Sequence, residues 1–174
     1  MSTPPVAIDP QATGHQVFPD ITVDNGFVYA LWWDSRNDPV YSPKRPIGND
    51  DQGRTYPSLQ PWTASSADRG ATWTPSSIPL STTLSNPNYE QFDNRAVPFA
   101  GDYLWITSVS DKVFATWTDW RNTVSGTDPR EPGATDRADV LQCRTYDSAN
   151  KTWSGDTCPR DGGLDQDIFG SVVH

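Results

Sequence analysis

Two short runs carry the charged residues with the most evident chemistry. They are Asp34-Ser35-Arg36-Asn37 and Asp119-Trp120-Arg121-Asn122, an Asp-x-Arg-Asn motif written twice, 85 residues apart. A carboxylate two residues from a guanidinium can cap a turn through backbone N–H groups while holding the arginine, or the pair can turn outward to grip a polar ligand. Recurrence favours the first use. A site on a molecular axis needs different groups from each repeat, whereas a residue kept in every repeat solves a problem every repeat has. Asp34 and Asp119 are therefore expected to close loop corners, with Arg36 and Arg121 pairing with them or stacking on tryptophan. Ligand binding by these four is the alternative.

Unrepeated residues are the stronger functional candidates. Tyr89, Glu90, Asp93, Arg95 and Tyr103 cluster in one stretch, Lys44, Arg45, Asp50 and Asp51 in another, and Tyr89 and Trp120 offer rings on which a sugar face could stack. Asn49-Asp50-Asp51 near Asp38 supplies oxygen ligands suited to Ca²⁺, although the spacing matches no EF-hand loop. His15 and His174 with two distant cysteines make no zinc pattern. Neither a phosphate-cradling glycine loop nor a nucleophile elbow is present.

The elements that must position these groups come from an internal repeat. Phe27-Val28-Tyr29-Ala30-Leu31-Trp32-Trp33 leads into the first corner and Lys112-Val113-Phe114-Ala115-Thr116-Trp117-Thr118 into the second. The ungapped register from Val17 over Asp102 matches Ile21/Ile106, Thr22/Thr107, Val28/Val113, Ala30/Ala115, Trp32/Trp117, Asp34/Asp119, Arg36/Arg121 and Asn37/Asn122. Such self-similarity marks a repeated supersecondary unit. Each copy reads as strand, tight turn, strand, and then a long loop. Strands are expected at 17–23, 27–33, 58–64 and from about 74 to 78, then at 102–109, 112–118, 139–145 and 152–157. Residues 35–55, 80–101 and 119–137 read as long loops. Residues 168–173 look like residues 17–22, as if a third repeat began there.

Between the third and fourth expected strands lies Ser66-Ala67-Asp68-Arg69-Gly70-Ala71-Thr72-Trp73. It fills the pattern Ser-x-Asp-x-Gly-x-Thr-Trp, and by it the chain resembles the sialidase-like β-propeller superfamily with its Asp-box repeats. The box has local physics of its own: the Asp68 carboxylate can accept backbone N–H groups, Gly70 can take positive φ, and Trp73 can pack between sheets. A second, worn copy runs Tyr146-Asp147-Ser148-Ala149-Asn150-Lys151-Thr152-Trp153 and needs another way to close its turn.

The resemblance implies an all-β fold of two four-stranded antiparallel propeller blades. Residues 1–16 would be irregular, 17–80 the first blade, 81–101 an inter-blade loop, 102–158 the second blade and 159–174 the start of a further blade strand. Two blades cannot close a propeller, which takes four to eight. Further blades are expected from a longer chain or by self-association, for example as a trimer, because an aromatic sheet face would otherwise lie open at each end. Alternating turns place all three long loops on one side of such a sheet, the side that receives the sugar in sialidase-like proteins. The resemblance further implies arginines holding a substrate carboxylate, for which Arg36, Arg95 and Arg121 are the candidates, and a tyrosine nucleophile assisted by glutamate, for which Tyr89 and Glu90 have suitable types. The family's Phe/Tyr-Arg-Ile-Pro motif is absent; the nearest run, Arg95-Ala96-Val97-Pro98, is one residue too long. The leading expectation is accordingly a non-catalytic recognition segment for carbohydrate or protein. A sialidase-type glycoside hydrolase and a purely structural assembly module are the alternatives.

Composition sets the outer limits. The net charge of −9 and pI near 4.4 disfavour a nucleic-acid partner, for want of a basic stripe to neutralise phosphates. No apolar run approaches the ~20 residues of a membrane span, and the first residues do not read as a signal peptide. Cys143 and Cys158 are symmetric about a turn expected near Asn150 and Lys151, so a disulfide between facing strands is expected, and with it a secreted origin.

Overall fold

The valines, threonines and aromatic residues that crowd each repeat suit a pleated, half-buried surface, on which successive side chains point to opposite faces. The computed structural model describes residues 4–89, 103–130, 133, 136–141, 143–155, 157 and 166–173. Among them β1 (Gln16–Asp24), β2 (Phe27–Asp34), β3 (Gln60–Ser66) and β4 (Thr74–Pro75) form one antiparallel sheet in chain order. A second antiparallel sheet holds β5 (Leu104–Val109), β6 (Lys112–Asp119) and β9 (Asp167–Val173), in the order β5-β6-β9. A separate ribbon pairs β7 (Thr145–Asp147) with β8 (Thr152–Ser154). The fold is all-β, without helix among the described residues.

Both repeats open with a two-residue hairpin. Asn25 and Gly26 have φ of 48° and 84°, and Ser110 and Asp111, at the same repeat positions, have 51° and 65°. Positive φ at both central residues gives the turn whose twist matches that of the flanking strands. The first copy uses the favoured Asn-Gly, and the second holds the same shape without glycine.

The third strand of the second sheet corrects the sequence expectation. Residues 139–145 and 152–157 were expected to complete that sheet, and 168–173 to begin another. Instead β9 pairs with β6 from Val113↔Val173 to Asp119↔Asp167, in the register β3 keeps with β2 from Val28↔Ser66 to Asp34↔Gln60. Residues 120–166 are thus an excursion between the second and third strands of that sheet. The second sheet has three strands among the described residues, not four.

The sheets pack face against face, chiefly through β5 lying on β1 and β2. Leu31, Trp33, Tyr29 and Val17 of the first sheet meet Leu104, Ile106, Val113, Ala115, Trp117, Phe169 and Val173 of the second. Polar bonds clasp this joint along β1, β5 and their hairpin turns. The Ile106 amide donates to Asp20 Oδ2 (2.8 Å), Thr22 Oγ1 bonds Ser108 Oγ (3.0 Å), and Asn25 Nδ2 donates to Asp111 Oδ1 (2.8 Å). On the far side of the first sheet, Ala30, Trp32, Trp62 and Ala64 are covered by Ile8 and Trp73. The far side of the second sheet lies open, with Trp105 69% and Ile168 71% exposed beside Phe114 and Val172.

Candidate functional site

Antiparallel pairing puts the end of β2 beside the start of β3, since Asp34 faces Gln60, and the end of β6 beside the start of β9. The long connections 35–59, 76–103 and 120–144 therefore leave from one end of the molecule, and both Asp-x-Arg corners stand at their base.

The corners are built alike. In the first, the Trp32 indole donates to Asp34 Oδ2 (3.0 Å), the Arg36 amide donates to Asp34 Oδ1 (2.7 Å), and Arg36 Nη2 bonds Asp34 Oδ2 (2.5 Å). The Arg36 guanidinium lies 3.7 Å from the Trp62 ring centre, and Trp62 faces Trp32 across β2 and β3. In the second, the Trp117 indole, Arg121 amide and Arg121 Nη2 reach Asp119 at 3.1, 2.8 and 2.6 Å. Arg121 lies 4.0 Å from the ring centre of Phe169, the residue facing Trp117. The alternation explains the spacing. Trp32 and Asp34 are two apart and so share one face of the strand, as do Trp117 and Asp119, and chain reversal after each Asp brings Arg back over that face. Burial alone would raise the pKa of Asp34, but the bonds from Arg36, Trp32 and Gln16 outweigh it and leave the group below the usual carboxylate range.

The two corners differ in their outer partner. Arg36 also bonds Asp9 (2.5 Å) from the N-terminal segment, whereas Arg121 bonds the Ser81 hydroxyl (2.7 Å). A hydrogen-bonded path joins them: Asn37 donates to Gln60, Gln60 to the Ser81 carbonyl, and Arg121 to the Ser81 hydroxyl.

Above the corners the loops are stitched to one another. Ser58 and Leu59 donate their amides to the Ser85 carbonyl, and the Trp120 amide donates to Ser85 Oγ. Thr55 reaches the Asp136 carbonyl through its amide (2.7 Å) and the Arg137 carbonyl through its hydroxyl (3.1 Å). Asn88 Nδ2 donates to the Ile47 carbonyl, and Tyr89 OH lies 3.0 Å from Ser125 Oγ. Tyr89 is half-buried at a seam between loops, and Arg137 lies 5.1 Å from the ring centre of Tyr56.

The remaining expected residues scatter. Trp120 is buried beneath the loops, so its ring has no free face for a sugar. Tyr103 is exposed, but it borders a hollow on the open side of the second sheet with Trp105, Thr116 and Ile168 rather than the loop rim. Arg45 is fastened to the carbonyls of Asn49 and Val40, while Lys44 is exposed. Asp38 caps its own loop by accepting the amides of Val40 and Gly48. Against the desolvation of its site, bonds from Arg54 and Gln52 bring Asp50 to a pKa of about 2. Asp51 is exposed. The described residues contain no group of three His, Cys, Asp or Glu arranged to hold a metal ion. Glu90, Asp93, Arg95 and Cys158 lie outside the described residues.

The Asp box behaves as local chemistry dictates. Asp68 accepts the Thr72 hydroxyl (2.6 Å), the Thr72 amide (2.8 Å) and the Ser66 hydroxyl (2.8 Å), which hold its pKa at about 2. Gly70 sits at φ +88°, and Trp73 packs on the first sheet beside Trp32 and Trp62. In the worn copy Asp147 does the corresponding work from another position, accepting the Ala149 and Asn150 amides and the Asn150 side chain. Thr157 donates its amide and hydroxyl to the Cys143 carbonyl, drawing the residue before Cys158 to Cys143.

One cluster on the rim escaped notice in the sequence. Asp128 is buried and pairs with Arg130, whose amide donates to Asp128 Oδ1 (2.8 Å). Asp-Pro-Arg at 128–130 is another Asp-x-Arg, and that spacing was the available signal. Beside it, burial and the charges of Asp136 and Asp128 push the Asp139 carboxyl up, against bonding from the Asp128 amide and the charge of Arg130. The rim therefore holds one carboxylate fixed in its ionised form and a neighbour biased toward keeping its proton.

No protein-family model, curated protein or solved structure matches the chain.

Proposed function

We propose that this chain is a two-blade segment of a sialidase-like Asp-box β-propeller, secreted, which recognises a carbohydrate through its loop rim without hydrolysing it. One observation carries the reading: three long loops leave from the same end of two stacked sheets and are hydrogen-bonded into a single rim. A rigid scaffold presenting connected loops is the usual arrangement of a recognition surface. Tyr89, at the loop seam, and Tyr56 with Arg137 are the groups suited to sugar rings and hydroxyls. The occupied arginines weigh against hydrolysis. Arg36 and Arg121 are already paired with carboxylates and stacked on rings, so a carboxylate clamp built from them would first have to break those corners.

A glycan array, followed by calorimetry on the best ligand, tests this reading. Binding is expected to fall at least about tenfold in Tyr89→Ala or Arg137→Ala while thermal stability stays close to wild type, a loss of about 1.4 kcal/mol. Binding unchanged in both variants, or absent across the array, overturns it. No turnover of a fluorogenic sialoside is expected; turnover abolished by Arg95→Ala would establish the hydrolase instead.

A further inference from the structure

The joint between the two sheets uses a simple rule of partners. Three contacts pair a residue of β1 or its turn with the residue of the second sheet that lies 86 positions on, the repeat copy of its own successor, and the Asp111 amide also reaches Asp24, 87 positions back. Asp20 takes the amide of Ile106, Thr22 meets Ser108, and Asn25 meets Asp111. Two surfaces take no part in this joint: the open side of the second sheet and the inner strand of the first sheet's far side. They are copies of the two surfaces that do join.

Transferring the rule to these unused surfaces pairs residues that never meet within the chain. Trp105, the copy of Asp20, would face Ile21, the copy of Ile106. Thr107 would face Val23, and Ser110 would face Gly26. One member of each pair has changed: Trp105 stands where the first repeat has Asp20, and Val23 where the second has Ser108, while Ile21 matches Ile106 and Thr107 matches Thr22. Where the internal joint sets polar against polar, the unused pair sets Trp105 and the Thr107 methyl against Ile21 and Val23. Ile21 is 57% exposed, whereas its copy Ile106 is 6% exposed beneath the first sheet. Ile8 and Trp73 cover only the β2–β3 part of the first sheet's far side and leave the β1 part free, and β1 and β5 are the strands that make the internal joint. The open side of the second sheet is hollowed on both flanks of Trp105, with about 350 Å³ bordered by Asp20, Phe114 and Thr116 and about 200 Å³ bordered by Tyr103, Trp117 and Ile168.

We propose that copies of this chain associate head to tail, the Trp105 and Ile168 face of one seating the Ile21 and Val23 strand of the next. The proposal rests on reading the sheets as blades and is independent of the ligand. A head-to-tail contact closes into a ring when its rotation allows, and four to eight blades correspond to about two to four copies. The occupant is a second copy because the two unused surfaces match each other position by position under the rule that the internal joint already obeys.

Sedimentation velocity on the full chain tests this. Wild type is expected as one closed species of about two to four chains. Trp105→Glu and Ile21→Glu, both at exposed positions, should each remove one half of the contact and give folded monomers, checked by circular dichroism. An equimolar mixture of the two variants should form a heterodimer and stop there, since each supplies the half the other lacks. A folded wild-type monomer at on the order of 100 μM overturns the proposal. So does a wild-type-sized Ile21→Glu assembly, which would mean that the Trp105 face pairs with itself. Glycan binding by such a monomer would leave the ligand reading standing while this one fell.

Discussion

The first and second sheets start from the same hairpin and bury it equally well under different covers. Val28, Ala30 and Trp32 are as well covered as Val113, Ala115 and Trp117, yet they are covered by different things. In the second sheet the cover is another sheet; in the first it is an N-terminal segment and the tryptophan of a turn. Likeness in sequence thus fixed which residues point to one face, while the neighbour on that face was free to differ. The corners repeat the lesson. Asp34 and Asp119 make the same three kinds of bond, but among the described residues Arg36 keeps a second carboxylate, Asp9, where Arg121 has the Ser81 hydroxyl.

The sharpest way to probe that difference is to empty the matched core positions. Trp117→Ala leaves a cavity between two sheets and is expected to cost about 4–5 kcal/mol; Trp32→Ala, whose site can collapse onto the Ile8 segment, about 3 kcal/mol. Chemical denaturation of both variants measures the gap, and equal losses would mean that the segment packs as firmly as a sheet. Next come the corners. Asp119→Ala strips Arg121 of its only carboxylate among the described residues and is expected to cost about 2–3 kcal/mol, reduced from a fully buried pair by the partial exposure of the guanidinium. Asp34→Ala leaves Arg36 paired with Asp9 and should cost less by about 1 kcal/mol; adding Asp9→Ala to it should remove that advantage.

Acid separates the two Asp-box turns from the rim. Asp68 has its folded pKa lowered to about 2, so its contribution is intact above the ordinary value of 3.8 and is lost as pH falls toward 2. Asp139, whose folded pKa is raised, behaves oppositely: the protonated form is preferred, and stability declines as pH rises through the folded value. Thermal melts should therefore show Asp68→Asn losing its deficit below pH 3, while Asp139→Asn melts higher than wild type at pH 7 and alike at pH 3. The smallest effect belongs to the hairpins. Ser110→Asn, which gives the second turn a residue tolerant of positive φ, should stabilise by about 0.5 kcal/mol, and Asn25→Ser should do the reverse.

Much of this was legible in the sequence because the repeat sets the strands β1, β2, β5 and β6 side by side, and because Trp-x-Asp-x-Arg specifies its own bonds within five residues. The partner of β6 was not legible. Gln60-Pro61-Trp62-Thr63-Ala64-Ser65-Ser66 and Asp167-Ile168-Phe169-Gly170-Ser171-Val172-Val173 share no residue in register, although they occupy equivalent places. Alternation marks a strand but not the strand beside it. The worn box misled for a related reason: Thr152 and Trp153 make a good hairpin, which here stands apart as a ribbon. At the rim, Arg36 and Arg121 were expected to pair with Asp34 and Asp119, but their outer partners, Asp9 and Ser81, come from distant parts of the chain that no spacing specifies. Asp139 was passed over because its environment comes from burial and from Asp136, Asp128 and Arg130, three to eleven positions away, whose placement the sequence does not show.

The docking of Ile8 and Asp9 bears on how the chain comes to be made. Their seat combines Ala30 and Trp32 on β2, Arg36 after it, and Trp62 and Ala64 on β3, so it is complete only once the chain through Ala64 has been synthesised. The segment is made well before the strand that completes its seat, and it is then among the last parts of the first sheet to find its place.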